Sequence, residues 1–354
     1  EHRETIASAA AAAVAGGIAT LCALPDTDPP IDDPALVSFL IRKGEATGCV
    51  TLLPYGAATS GCEGKEISEF GLLREAGAVA FTDGRRAVAN ARTMRLALSY
   101  ARAFGTLIVQ HPEEPSLAAG GAATEGERAT RMGLPGIPPA AEVLMVERDI
   151  ALARLTGGHV HFAHLSTAAA LGRVRRAKEE GLRVTCDTAP PYFDLNETAI
   201  GEYRTYAKLS PPLRDEADRL AVIAALKDGT VDAVASDHQP RDADDKRLPF
   251  AQAEPGGAGL ATLLAVTLAR VHAGDLTLLA ALDLLTTKPA RLFGLNVGTL
   301  MKGAPADLVL FHPERGWRVE AGKLPGKAQN TPFDGRALEG RVLGTWKAGR
   351  RVFG

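Results

Sequence analysis

Short runs rich in β-branched and small apolar residues alternate with longer helical stretches along most of this chain. That alternation restricts the fold more than any other feature. The runs are IATLCAL (18–24), CVTLLPY (49–55), AVAF (78–81), TLIVQ (106–110), HVHFA (159–163), RVTCD (183–187) and VDAVAS (231–236). Between them lie helical stretches such as 93–104, 140–155 and 168–181. Strands separated by helices of this length build βαβ units and a parallel sheet. Seven runs are one short of a closed barrel. Because 2–15 reads as a helix, the remaining strand is expected upstream of Glu1. The expected fold is α/β: a (β/α)8 TIM-type barrel whose first strand is missing from this sequence. An open doubly wound sheet is the alternative, although no GxGxxG follows the first run to favour a dinucleotide-binding version. After 295 the texture changes to short β-type runs broken by Gly and Pro, which implies a barrel over 1–295 and a small antiparallel β unit over 296–354.

Composition narrows the function classes. With 354 residues and a formal net charge of −2, nothing favours nucleic acid or an anionic membrane surface as partner. No run of about 18 apolar residues is present, so a membrane span is not expected. The Ala-rich start lacks the flanks of a signal peptide. Cys22, Cys49, Cys62 and Cys186 show no CxxC spacing and read as reduced thiols of a cytoplasmic enzyme.

The chemistry is expected at the strand ends. AVAF runs into Asp83, TLIVQ into His111, HVHFA into His164 and VDAVAS into Asp237. A barrel gathers such ends on one rim, where catalytic groups of this fold collect. Two imidazoles and two carboxylates suit Zn²⁺, as one ion or as two bridged ions. An ion there lowers the pKa of bound water and supplies a nucleophile. Asp237, a charge ending an apolar run, is read as both ligand and proton carrier. His159 and His161 alternate within one strand and are assigned to packing or rim hydrogen bonds. His2, His272 and His312 lie in helical or surface contexts.

The segments AGGIATLCALPDTDPPIDDP, GAVAFTDG, HFAHLST, YAKLSPPLRDEADR, ASDHQP and GAPADLVLFHP resemble the class I dihydroorotases of the amidohydrolase superfamily. The resemblance runs in order along essentially the whole chain. It implies a barrel beside a small β-sandwich, one or two zinc ions, and reversible ring closure of carbamoyl aspartate to dihydroorotate in pyrimidine synthesis. It assigns Asp83, His111, His164 and Asp237 to the metal, with Asp237 also the general acid/base. Ser210, Pro255 and Gly256 fall at substrate-contacting positions. Asp26 stands where the family usually has an Asn donor, and an ionised carboxylate there would repel an anionic substrate. Arg241 replaces a His that contacts the substrate carboxylate, and a guanidinium can make that contact bidentately. The family's HxH pair belongs to the missing first strand.

Three functions follow from these residues. The leading one is a zinc-dependent cyclic amidohydrolase, most simply a dihydroorotase, acting on a small molecule as a homo-oligomer. The second is a catalytically silent relative that scaffolds aspartate transcarbamoylase. The third is a hydantoinase or allantoinase, whose members usually carry a carboxylated Lys where this chain has Asp83.

Overall fold

The structure is a computed structural model that describes residues 2–354. Its centre is a parallel sheet assembled in chain order. Strand β1 (Thr20–Ala23) pairs with β2 (Thr51–Pro54), and β3 (Gly56–Ala57) continues the same run into β4 (Phe81–Thr82). The run divides at Pro54, which has no N–H to give a ladder. Tyr55 N donates to Ala23 O on one side, and Gly56 N donates to Ala80 O on the other. After β4 comes β5 (Leu107–Gln110). Two short strands, β6 (Ala123–Thr124) and β7 (Gly136–Ile137), then pair only with each other. The sheet resumes with β8 (His159–Phe162), β9 (Val184–Thr188) and β10 (Ala233–Val234), giving the order β3-β4-β5-β8-β9-β10.

All seven runs singled out in the sequence enter this sheet. Two contribute less regular strand than expected. The run at 78–81 is laddered only from Phe81, after Val79 N has reached Pro54 O. The run at 231–236 is laddered only at Ala233–Val234, flanked by single bonds from Asp232 N to Cys186 O and from Ala235 N to Thr188 O. The β6–β7 excursion carries no apolar run long enough to betray it.

Helices cover the sheet because their apolar residues recur every three to four positions. In Ala91–Ala103 the buried positions are Thr93, Met94, Ala97, Leu98 and Ala101, and Asn90 caps the start by accepting from Arg92 N and Thr93 N. Pro34–Thr47 begins with Asp33 as its cap and Pro34 in the first turn, where the missing N–H costs nothing. Beneath them Phe70 stacks on Phe81 with ring centroids 4.1 Å apart, and Tyr100 continues the stack at 5.1 Å. Phe81 thus anchors the core two residues before Asp83.

Toward the C-terminus, β11 (Leu308–Arg318), β12 (Ala337–Lys347) and β13 (Arg350–Phe353) form an antiparallel sheet. The buried Thr345 donates to Val14 O at 2.7 Å, tying this sheet to the helix Ile6–Ala15. That helix occupies most of the stretch read as helical at 2–15, and Thr5 and Ser8 cap it reciprocally. All four cysteines are free thiols. No helix among the described residues is long and apolar enough to cross a membrane.

Phe81→Ala should lower the unfolding free energy by about 3–5 kcal/mol, the usual cost of removing a fully buried aromatic ring. A denaturant titration with an unchanged midpoint would mean that the stack does not hold this strand.

Candidate active site

Parallel strands end on a common edge, and this edge collects the ionisable groups. His111 directly follows β5, and His164 lies two residues beyond β8. Asp237 lies three residues beyond β10. His164 and Asp237 both adopt left-handed backbone, with φ of 57° and 43°. Such conformations cost a non-glycine residue about 1–3 kcal/mol and persist where surrounding bonds fix them. The strain turns the two side chains toward each other. His164 Nε2 stands 3.5 Å from Asp237 Oδ1, which also accepts from Gln239 Nε2 at 2.7 Å.

Asp187, near the end of β9, holds the other side of His164. Its Oδ1 accepts from His164 N at 2.7 Å, and its Oδ2 lies 2.9 Å from His161 Nε2. His164 Nδ1 is 3.2 Å from the same Oδ1 but off the hydrogen-bond line, so this buried nitrogen lacks a hydrogen-bond partner. Burial alone would lower the His164 pKa, but Asp237 and Asp187 outweigh it and hold it up at about 9. Burial likewise opposes Asp187, yet His164 and His161 keep its carboxyl well below the usual carboxylate range. His161 and His159 both meet Thr185 Oγ1, at 2.9 and 3.0 Å. A chain of contacts thus runs from His159 through Thr185, His161, Asp187 and His164 to Asp237.

His111 faces His164 with ring centroids 6.5 Å apart. Its Nε2 is 3.3 Å from Ser210 Oγ, which also donates to Glu113 Oε2 at 3.2 Å. Ser210 is therefore brought to His111. Asp83 is buried as expected of a strand-end acid, but its two oxygens accept from Thr59 N (2.8 Å) and Thr59 Oγ1 (2.5 Å). No direct contact joins it to His111, His164 or Asp237, and burial raises its pKa despite the Thr59 bonds. Asp26 is not left unpaired, since Arg85 Nε donates to its Oδ2 at 2.6 Å. Arg241 is buried, and its Nε donates to Pro255 O at 2.7 Å. Asn330 Nδ2 donates to Gly256 O, and Lys246 Nζ donates to Glu254 O at 2.6 Å, so the Pro255–Gly256 loop is pinned beside Arg241. Gly259 lets that loop approach the strand end, because a Cβ there would lie 2.0 Å from Ser236 O.

One supporting network was not foreseen. Glu142, buried in the first turn of Ala140–Thr156, accepts from Ser166 N, Ser166 Oγ, Thr167 N and Thr167 Oγ1. Arg214, also buried, donates to Ser166 Oγ at 3.0 Å and stands 3.8 Å from Glu142. Glu142 thus fastens the turn after His164 to the segment carrying Ser210.

The rim's donors match a divalent ion in kind: two imidazoles and a carboxylate. The His164–Asp237 separation also matches two ligands on a tetrahedral ion, which lie about 3.4 Å apart at metal distances near 2.1 Å. Among the described residues, no group of three or more His, Cys, Asp or Glu side chains is drawn around one point. Filling such a set needs His111 to exchange Ser210 for the ion.

Comparison with known proteins identifies the lineage. A family model described as dihydro-orotase-like matches residues 1–170, and one for the amidohydrolase family matches 261–353. The dihydroorotase of Pelobacter propionicus is 43% identical over 353 residues, covering 100% of this chain and 83% of that enzyme. That of Anaeromyxobacter dehalogenans is 44% identical over 354 residues, covering 99% of this chain and 82% of the relative. The chain belongs to the dihydroorotase family of amidohydrolases. Its fold is the α/β barrel fold of that superfamily. The L-hydantoinase of Arthrobacter aurescens superposes with a TM-score of 0.86 at 25% identity, covering 99% of this chain and 81% of the other. The dihydropyrimidinase of Brevibacillus agri gives 0.78 at 23% identity, covering 99% and 79%. Dihydroorotase-family enzymes are in general metal-dependent hydrolases of cyclic amides.

Glu142→Ala should destabilise the protein by about 3–5 kcal/mol, because it strands buried donors and the Arg214 charge. Glu142→Gln should cost less by keeping part of the acceptor set. Equal midpoints for both variants and the parent in chemical denaturation would remove Glu142 from this role.

Proposed function

We propose that this protein is a zinc-dependent dihydroorotase, interconverting dihydroorotate and carbamoyl aspartate. The observation carrying the proposal is the His164–Asp237 pair, set on strained backbone at the rim of a chain more than 40% identical to dihydroorotases over its whole length. The proposed ligands are His111, His164 and Asp237, with Asp83 joining only when it leaves Thr59. One ion is the minimum this set supports, and a second would need donors beyond it. Bound zinc supplies Lewis acidity toward the ring carbonyl and the attacking water.

The chain's own residues supply the remaining steps. Asp237 takes a proton from the attacking water and returns it to the ring nitrogen as the amide C–N bond breaks, so the exchange balances. Asp187, oriented by His161, holds the His164 backbone and sets a negative charge beside its ring. Arg241 holds the substrate carboxylate, while Pro255 and Gly256 close over the ring and Ser210 lines it. The reading carries with it a homo-oligomeric cytoplasmic enzyme, with an N-terminal barrel over 1–295 and a β-sandwich part over 296–354.

A second reading is favoured by one observation: both oxygens of Asp83 are committed to Thr59. On that reading the protein is a silent relative that scaffolds aspartate transcarbamoylase. The hydantoinase reading draws on the structural neighbours, but no Lys stands at the Asp83 strand end. Metal content and dihydroorotate turnover of the full-length protein discriminate these. Zinc with turnover, both lost on chelation, supports the first reading. A metal-free protein with no turnover after zinc loading supports the second.

Arg241→Ala should raise KM for dihydroorotate well beyond ~10-fold, since one charge-assisted contact is worth about 1.5–3 kcal/mol. An unchanged KM in steady-state assays would take Arg241 out of the pocket.

A further inference from the structure

Lys246 has almost no contact with solvent and no acid to pair with. It lies in the short helix Ala243–Arg247, and only 4% of its surface is exposed. Its Nζ donates to Thr205 O at 3.1 Å, Lys208 O at 3.3 Å and Glu254 O at 2.6 Å. All three partners are backbone carbonyls, and among the described residues no carboxylate forms an ion pair with it. An ammonium has three donors and no acceptor, so this cage uses each donor once. The backbone adds two bonds of its own: Thr205 Oγ1 donates to Lys246 O at 2.5 Å, and Glu254 N donates to Asp245 O at 3.2 Å.

The three carbonyls belong to two segments that are distant in sequence. Thr205 and Lys208 lead into Ser210, and Glu254 directly precedes Pro255 and Gly256. Lys208 O also accepts from Gly256 N at 2.9 Å, so one carbonyl holds both the ammonium and the loop. Lys208, itself buried, sends its own Nζ to Ala251 O at 2.9 Å, nearer the start of that loop. Acids are not what steadies the Lys246 charge. Asp245 pairs with Arg3 at 3.0 Å, and the half-exposed Glu254 side chain lies 3.8 Å from Arg241 Nη2. Burial, then the charges of Arg241 and Lys208, hold the Lys246 pKa below the ordinary lysine range. A charge opposed in this way contributes little to overall stability. Its effect is local: it fixes one segment against the other.

We propose that Lys246 is a positioning residue, a tethered cation in a three-carbonyl cage that clamps the Pro255–Gly256 loop onto the segment carrying Ser210. The clamp itself rests on the contacts of Lys246; its value to a cyclic-amide ligand rests on the dihydroorotase reading. Its Nζ bonds reach none of the proposed metal ligands. Loss of the clamp should therefore weaken the hold on the ring without slowing the chemistry. That is the signature of binding that is equal in the ground and transition states.

Lys246→Met keeps the length of the side chain and removes its donors. Hydrogen exchange of the full-length protein should show the Glu254 and Gly256 amides exchanging about 10-fold faster or more, the scale of a lost charge-assisted contact. The amides of β5 and β8 should not move. KM for dihydroorotate should rise by a similar factor at unchanged kcat. Thr205→Val, which frees only the backbone of Lys246, should move both readouts the same way by roughly 5-fold. It decides the matter if Lys246→Met does not fold. Unchanged exchange at 254 and 256 would overturn the clamp. So would exchange raised equally in β5 and β8, which would make Lys246 an ordinary stabilising group. An unchanged KM in an active enzyme, or a fall in kcat at constant KM, would end the positioning role. A parent with no turnover would sink the dihydroorotase reading, and the exchange pattern would then decide the clamp alone.

Discussion

Burying carboxylates around the ends of a parallel sheet is the constraint from which the rest of the rim follows. Glu142, Asp187 and Asp83 are all inside, and an ionised carboxylate is tolerated there only when donors surround it. Each is met by a different local device. Glu142 is met by two consecutive hydroxyl residues and their backbone N–H groups, Asp187 by the His161 ring and the His164 backbone N–H, and Asp83 by both donors of Thr59. These bonds span 23 to 26 residues of sequence, so each satisfied acid also ties one segment of the rim to another. The rim is rigid because its charges are paid in hydrogen bonds rather than in solvent.

That rigidity allows His164 and Asp237 to be strained. A left-handed conformation at a histidine is unfavourable on its own, and a loosely packed loop would relax it. Here Leu165 N donates to Asp187 O and Thr188 Oγ1 donates to Leu165 O, while Ser166 and Thr167 are fixed by Glu142. The turn after β8 is determined from both sides. At Asp237 the pairing of Gln239 N with Gly257 O does the same. Strain and support meet at the two residues that the chemistry would use, the pattern expected where geometry has been selected over local stability.

Much of the sheet was legible from the alternation of apolar runs and helices, because parallel strands buried on both faces write their burial into the sequence. The strand ends His111, His164 and Asp237 were legible for the same reason: a polar residue closing an apolar run has few places to go. Asp187 obeys that rule equally, as the last residue of RVTCD, and could have been found by it. Glu142 and Arg214 could not. One lies in the first turn of a long helix and the other in a Pro-rich loop, and each reads as a solvated charge until the fold brings them within 3.8 Å. The interior of Asp83 was readable, but its partner was not, since Thr59 sits in a stretch with no periodicity.

Charge compensation across loops was the least legible feature and carries the most chemical meaning. From the sequence, Asp26 counts against an anionic ligand, since an acceptor replaces a donor. The fold reverses the sign of that argument by setting Arg85, 59 residues away, onto the same carboxylate. The unit at 26 is then an ion pair, not a bare acid. Composition sums charges without regard to where the fold sets them, so a near-neutral total says nothing about which acids are already paired.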